Sequence, residues 1–247
     1  MGKRIAVIGG TALQSLSGLK VVDKKRVTTP YGDCSDDLLI VKLDKIELVF
    51  LARHGSTHSI APHKINYRAN IWALHSLDVT QVVAISSVGG ITDAFPPGTL
   101  AVPDQLIDYT HGRITTFYED KFSIDRHIDF TEPYSASLRD GLLQAASSVQ
   151  LPIHRSATVG ITQGPRLETA AEIQRMAQDG CDLVGMTGMP EAVLAREIGL
   201  AYASLCIVVN WAAGIIQETI TIEEIKETIN RLNNDVERII REFAKQD

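Results

Sequence analysis

Apolar residues fall along this chain in short runs separated by glycine, proline or charge. Ile5–Ile8, Leu38–Leu43, Ile46–Leu51, Gln81–Ser87, Ala157–Thr162, the run before Met186 and Leu205–Val209 each read as a strand. Asp44-Lys45 between the second and third runs predicts a hairpin. Other stretches carry the helical period instead. Asn66–Leu77 places Ala69, Trp72 and Ala73 on one face, and Ser135–Val149 does the same with Leu138, Leu142, Leu143 and Ala146. Glu191–Gly199 is a short helix with Pro190 at its first turn. From about Thr221 onward, Ile222, Ile225, Ile229, Leu232, Val236, Ile239 and Phe243 recur at spacings of three and four. That stripe suits a helix docked on a sheet better than a coiled-coil seam, because it is too short for a sustained heptad pattern. Thr99 to Asp129 reads as short strands and long loops, with His111 and His127 embedded.

Strands alternating with helices predict an α/β fold. Residues 1–247 show no repeat, low-complexity segment or linker, so one domain is expected. The 247 residues, 45% of them hydrophobic, are enough for one large core. The net charge of −6 and the lack of any Lys/Arg run longer than three residues argue against a nucleic-acid face. A small anionic ligand needs only a few local basic groups and stays open. Cys34, Cys181 and Cys206 are scattered, odd in number and without CxxC spacing, which suits a reducing compartment. Ile5–Ile8 is too short for a signal peptide, and no apolar stretch reaches the roughly 18 residues of a membrane span. A soluble cytoplasmic protein is expected.

The candidate chemistry collects at the ends of strands. Ligands of open α/β sheets bind outside the carboxyl ends of the strands. Gly9-Gly10-Thr11 follows the first strand and lets a ligand approach the backbone, although two glycines are also ordinary turn chemistry and the sequence is not GxGxxG. Arg53-His54-Gly55 follows the Ile46–Leu51 strand. Such a pair is either an anion clamp or an exposed loop pair. Ser86-Ser87-Val88-Gly89-Gly90 brings hydroxyls and free N–H groups to another strand end. Gly164-Pro165 opens a turn followed by Glu168; Met186-Thr187 and Asn210 each end a run. His58 and His63 raise a metal question, but no carboxylate or cysteine joins them at ligand spacing.

These segments resemble the trimeric purine nucleoside phosphorylase and methylthioadenosine phosphorylase family. The resemblance rests on IGGT at 8–11, RHG at 53–55, INYRANIWAL at 65–74, GPRLET at 164–169 and VGMTGMPEAVLARE at 184–197, in that order over nearly the whole chain. It implies a mixed central sheet partly closed into a barrel and surrounded by helices, with active sites near the subunit contacts of a homotrimer. It also implies phosphorolysis, in which phosphate, a co-substrate, attacks the anomeric carbon of a nucleoside and the purine leaves. No cofactor or metal is implied. By position, Thr11, Arg53, His54, Ser86, Ser87 and Thr187 would hold phosphate, Met186 the ribose, and His127 the 5′ end of the ribose. Leu167, Glu168, Asn210 and Ala212 would surround the base, with Glu168, Asn210 and His54 as catalytic residues.

Two departures bear on the substrate. The methylthioadenosine branch has aspartate where Asn210 stands, a second aspartate where Ala212 stands, and a small hydroxyl residue at the place of Glu168. Glu168 and Asn210 look instead like the pair of the 6-oxopurine nucleoside phosphorylases. A carboxylate accepts from the N1–H of hypoxanthine and repels the N1 lone pair of adenine. At the other end, the classical 6-oxopurine enzymes bind the 5′-hydroxyl with a histidine near the start of the last helix. This chain has no histidine after His154, and Ile222 is the best match. A 6-oxopurine base site with an apolar 5′ site implies 5′-methylthioinosine.

Overall fold

The computed structural model describes residues 4–10, 20–43, 46–217 and 219–246. Thr11 and the Asp44-Lys45 turn lie outside them. In chain order the elements are β1 (Ile5–Gly9), β2 (Lys20–Lys25), β3 (Leu38–Leu43), β4 (Ile46–Ala52), α1 (Tyr67–Ser76), β5 (Gln81–Gly90), β6 (Leu100–Ala101), β7 (Gln105–Asp108), α2 (Ala136–Ser148), β8 (Thr158–Ile161), α3 (Ala170–Gln178), β9 (Leu183–Gly185), α4 (Gly188–Glu197), β10 (Ala201–Trp211) and α5 (Ile222–Ala244). The strands join one mixed sheet in the order β2-β3-β4-β1-β5-β9-β8-β7, with β10 beside β5 and β6 beside β10.

Four of these strands set the site. β4, β1, β5 and β10 are mutually parallel neighbours, so their carboxyl ends share one edge of the sheet. Their alternate residues enter two different cores. Ala6, Ile8, Val82 and Ala84 pack with Ile71 and Leu74 of α1 and Leu194 of α4. Ile5, Val7, Val83 and Leu205 pack with Leu138 and Leu142 of α2 and Val236, Ile239 and Phe243 of α5. Covering both faces is why these strands read as continuous apolar runs.

Among the described residues the sheet forks at β5 and does not close fully on itself, in keeping with the partial closure expected. β1 pairs with β5 only from Gln81 to Ala84, and β9 reaches it only at Gly89 and Gly90. From Ile85 to Val88 this side of β5 lies open between them, while β10 covers the other side. The open stretch includes Ser86-Ser87.

The predicted helices are present, and their ends have physical causes. Asn66 caps α1 and Ser135 caps α2 through their side chains. Thr169 with Glu172 and Thr221 with Glu224 form capping boxes that start α3 and α5. In α4 the dihedrals of Met189 and Pro190 are not helical, so the regular turns begin after Pro190, as the sequence suggests. The apolar stripe of α5 is buried from Leu232 onward, which settles it as a docked helix. β2, KVVDKK, gave no strand signal: it is an edge strand with Val21 and Val22 exposed, and charge there discourages pairing with other chains. Among the described residues no helix is long and apolar enough to cross a membrane.

Candidate active site

A cleft of about 510 Å³ opens where the four parallel strands end and β5 forks. This size suits a small organic ligand. Its lining unites ten residues singled out from the sequence: Arg53, His54, Ser86, Ser87, Leu167, Glu168, Met186, Thr187, Asn210 and Ala212. Gly10, next to Thr11, is part of the wall. Two expected residues lie elsewhere. Ile222 is 57% exposed and outside the lining, and Ile220, Ile225 and Ile229 form the apolar wall instead. Ile222 is the first residue of α5, whereas Ile225 and Ile229 lie one and two turns further on. His127 is exposed on a long loop, its ring edge-on to Phe122 at 5.0 Å, and does not reach the cleft of its own chain.

Arg53 is not a loop residue in solvent. It is 2% exposed, held by a carboxylate the sequence reading missed. Nε and Nη2 of Arg53 donate to Glu191 Oε1 and Oε2 at 2.5 and 2.8 Å, and Nη1 donates to the Ile85 carbonyl at 3.1 Å. Tyr202 donates its hydroxyl to Glu191 Oε2 at 3.0 Å. Burial opposes the charge on Arg53, but the Glu191 carboxylate more than offsets it, so the guanidinium titrates above its ordinary range. Three of its five N–H bonds are used in these contacts; the remaining donors belong to a side chain lining the cleft. Because Ile85 turns its carbonyl toward Arg53, alternation along β5 puts the Ser87 N–H on the same open side.

His54 is neutral near pH 7. Burial pushes its imidazole down to about 4; Arg53 and His58 act in the same direction, against the opposing hydrogen bond to Ile60 and the Glu191 charge. His54 Nδ1 lies 2.8 Å from the Ile60 carbonyl, which can only accept. Nδ1 therefore carries the proton, and Nε2 offers a lone pair. The fixed positive charge of the Arg53-His54 pair is therefore that of Arg53. Thr187 caps α4 yet makes no side-chain capping bond, so its hydroxyl is not committed to the helix.

Glu168 sits one residue before the cap of α3 and takes no part in the capping box, which uses Glu172. Its Oε1 accepts from the Thr162 hydroxyl at 2.5 Å. Gly164, with φ +59°, turns the chain tightly enough that a Cβ there would lie 2.6 Å from Met186 Sδ. Asn210 Nδ2 donates to the Trp211 carbonyl at 2.6 Å, which orients the amide and leaves its oxygen and second N–H for a ligand. Arg113, also missed, gathers the surrounding loops. It donates to the carbonyls of Thr162 and Gln163 at 3.2 and 2.8 Å, of Met186 at 2.9 Å, and of Met189 at 2.5 Å. No sequence motif marks it, since most of its partners are main-chain oxygens, joined by Gln163 Oε1 and the Tyr67 hydroxyl.

A cleft at the carboxyl ends of parallel strands that unites one buried cation with a carboxylate and an amide can hold a small anion beside a polar organic ligand. The chain belongs to the phosphorylase superfamily, whose family profile matches residues 4–245. A relative from Xanthomonas campestris named "Probable S-methyl-5'-thioinosine phosphorylase" is 50% identical over 242 residues, covering 98% of this chain and 97% of that protein. The 6-oxopurine nucleoside phosphorylase of Pyrococcus furiosus is 43% identical over 245 residues, covering 96% of this chain and 90% of its own. Among solved structures, the methylthioadenosine phosphorylase of Schistosoma mansoni in complex with adenine superposes with a TM-score of 0.93 at 31% identity, covering 98% of this chain and 91% of that one.

Proposed function

We propose that this chain is a nucleoside phosphorylase that converts 5′-methylthioinosine and phosphate to hypoxanthine and 5-methylthioribose 1-phosphate. The observation that carries the reading is one cleft lined both by the polar Glu168 and Asn210 and by the apolar Ile220, Ile225 and Ile229. Phosphate sits by Arg53, Ser86, Ser87 and Thr187, and a phosphate oxygen attacks the anomeric carbon. The bond to the purine breaks through an oxocarbenium-like state, so the bound phosphate both stabilises the sugar cation and serves as nucleophile. No side chain needs to attack. Neutral His54 takes a hydrogen bond from a protonated phosphate oxygen without adding charge. Glu168 accepts from base N1–H, and Asn210 donates to N7 or O6 as negative charge builds on the departing base. Met186 meets the ribose.

The 6-oxopurine relatives in Xanthomonas and Pyrococcus support the base assignment. The test is base release from a panel of nucleosides with and without phosphate. Methylthioinosine should be cleaved best, and only with phosphate.

Assembly belongs to the same proposal. Phe122, Ile124 and Ile128 are exposed by 58, 83 and 36% on the loop that carries His127. Burying them against a second copy gives this loop a role and brings His127 to a neighbour's substrate. The chain is proposed to work as a homotrimer on small molecules.

A further inference from the structure

Thr162 does not line the cleft, yet it holds the residue that reads the base. It follows β8 directly and is 9% exposed. Its main chain is fixed from both sides: the N–H donates to the Gly185 carbonyl at 2.8 Å, and the carbonyl accepts from Arg113 Nη2 at 3.2 Å. Six residues later the chain has turned back through Gly164, and Glu168 Oε1 lies 2.5 Å from the Thr162 hydroxyl. The other acceptor within reach of that hydroxyl, the Gly185 carbonyl, is at 3.4 Å. The single hydroxyl proton therefore goes to Glu168.

We propose that Thr162 is a positioning residue that enforces selection of 6-oxopurines over 6-aminopurines by engaging Glu168 Oε1 and so leaving Oε2 to accept from the base. The proposal rests on Glu168 being the base reader. One oxygen is occupied by Thr162, which leaves the other to accept from N1–H. A 6-aminopurine presents an acceptor at N1, so Glu168 would have to carry a proton to bind it. Protonation would forfeit the charge-assisted bond from Thr162. Thr162 thus raises the cost of the wrong base without touching it, and Arg113 keeps Thr162 in place.

The test is Thr162→Val, which removes the hydroxyl and keeps the shape. The ratio of kcat/KM for methylthioinosine to that for methylthioadenosine should fall about 10-fold or more, the scale of one hydrogen bond to a charged group. The phosphate KM should not change, and Thr162→Ser should restore the ratio. An equal fall for both substrates, or an unchanged ratio, overturns the proposal. If Thr162→Val shows no cooperative melting, Thr162→Cys, a weaker donor, must lower the ratio, and an unchanged ratio there overturns it equally. Glu168→Ala is measured beside them. If it leaves the ratio unchanged, the base-pocket reading falls and Thr162 with it. If it collapses the ratio while Thr162→Val does not, only the role of Thr162 is wrong.

Discussion

If Arg53 holds phosphate as proposed, its buried pair with Glu191 makes phosphate binding and stability inseparable in simple mutants, and the two can be separated by design. The Arg53 and Glu191 side chains are 2 and 0% exposed, joined by two hydrogen bonds. Removing one partner of a buried pair costs about 3–5 kcal/mol, because the other charge is left unpaired. Glu191→Ala also strands the hydroxyl of Tyr202, which is 2% exposed, so its cost should fall at the upper end of that range. Against a total stability of about 5–15 kcal/mol this is a large loss. Urea unfolding at one fixed protomer concentration measures it. Arg53→Ala should be comparably unstable, so a raised phosphate KM in that variant alone proves little. The informative variant combines Arg53→Met, Glu191→Leu and Tyr202→Phe, replacing the polar cluster with apolar groups of similar size. Such replacements are commonly neutral or stabilising. Stability should recover, while the phosphate KM stays raised by about 10-fold or more, as expected when a hydrogen bond to a charged ligand is lost. A cost below about 1 kcal/mol for Glu191→Ala would refute the assigned role of the pair in stability. A normal phosphate KM in the triple variant would remove Arg53 from the phosphate site.

Two further outcomes are expected, one from the burial of His54 and one from the family resemblance. His54 is held near 4 in the folded chain against 6.5 ordinarily, so between these values the unfolded chain binds a proton that the folded chain does not. Its contribution is present above pH 6.5 and lost as pH falls toward 4; melting temperatures across that window should drop more steeply in the unmutated protein than in His54→Gln, and parallel curves would contradict the buried neutral state. Sedimentation equilibrium should give a trimer, with Ile124→Glu shifting it toward smaller species; a monomer at micromolar concentration in the unmutated protein would refute the assembly.

Most of the frame was legible because the central strands are covered on both faces. Ile5–Ile8 and Leu205–Val209 had to be apolar throughout, and the polar residues just beyond them mark the strand ends where the cleft forms. β2 was hidden because an edge strand needs no such run. The site was legible where its residues stand at strand ends or carry the family resemblance, as with Arg53, Glu168 and Asn210. Glu191 was not, since it lies 138 residues from Arg53 and reads as an ordinary first-turn carboxylate of α4. Thr162 and Arg113 act through a carboxylate and through main-chain carbonyls, and neither leaves a pattern. The apolar 5′ site was expected at Ile222, whereas Ile225 and Ile229 of the same helix line the cleft, because sequence matching fixes a helix more readily than its rotation. The capping box at Thr221 sets where α5 begins and leaves Ile222 exposed on its first turn.

Substrate choice is decided by kcat/KM for methylthioinosine, inosine and methylthioadenosine, each with saturating phosphate and without it, read by release of free base. The apolar wall should favour methylthio over hydroxyl by about one order of magnitude, from about 0.8 kcal/mol per buried CH₂-sized group. The base end should discriminate more strongly, because a mismatch leaves buried polar groups unpaired. The expected ranking is methylthioinosine, then inosine, then methylthioadenosine, with no release when phosphate is absent. Faster cleavage of methylthioadenosine than of methylthioinosine would contradict the assignment of Glu168 and Asn210.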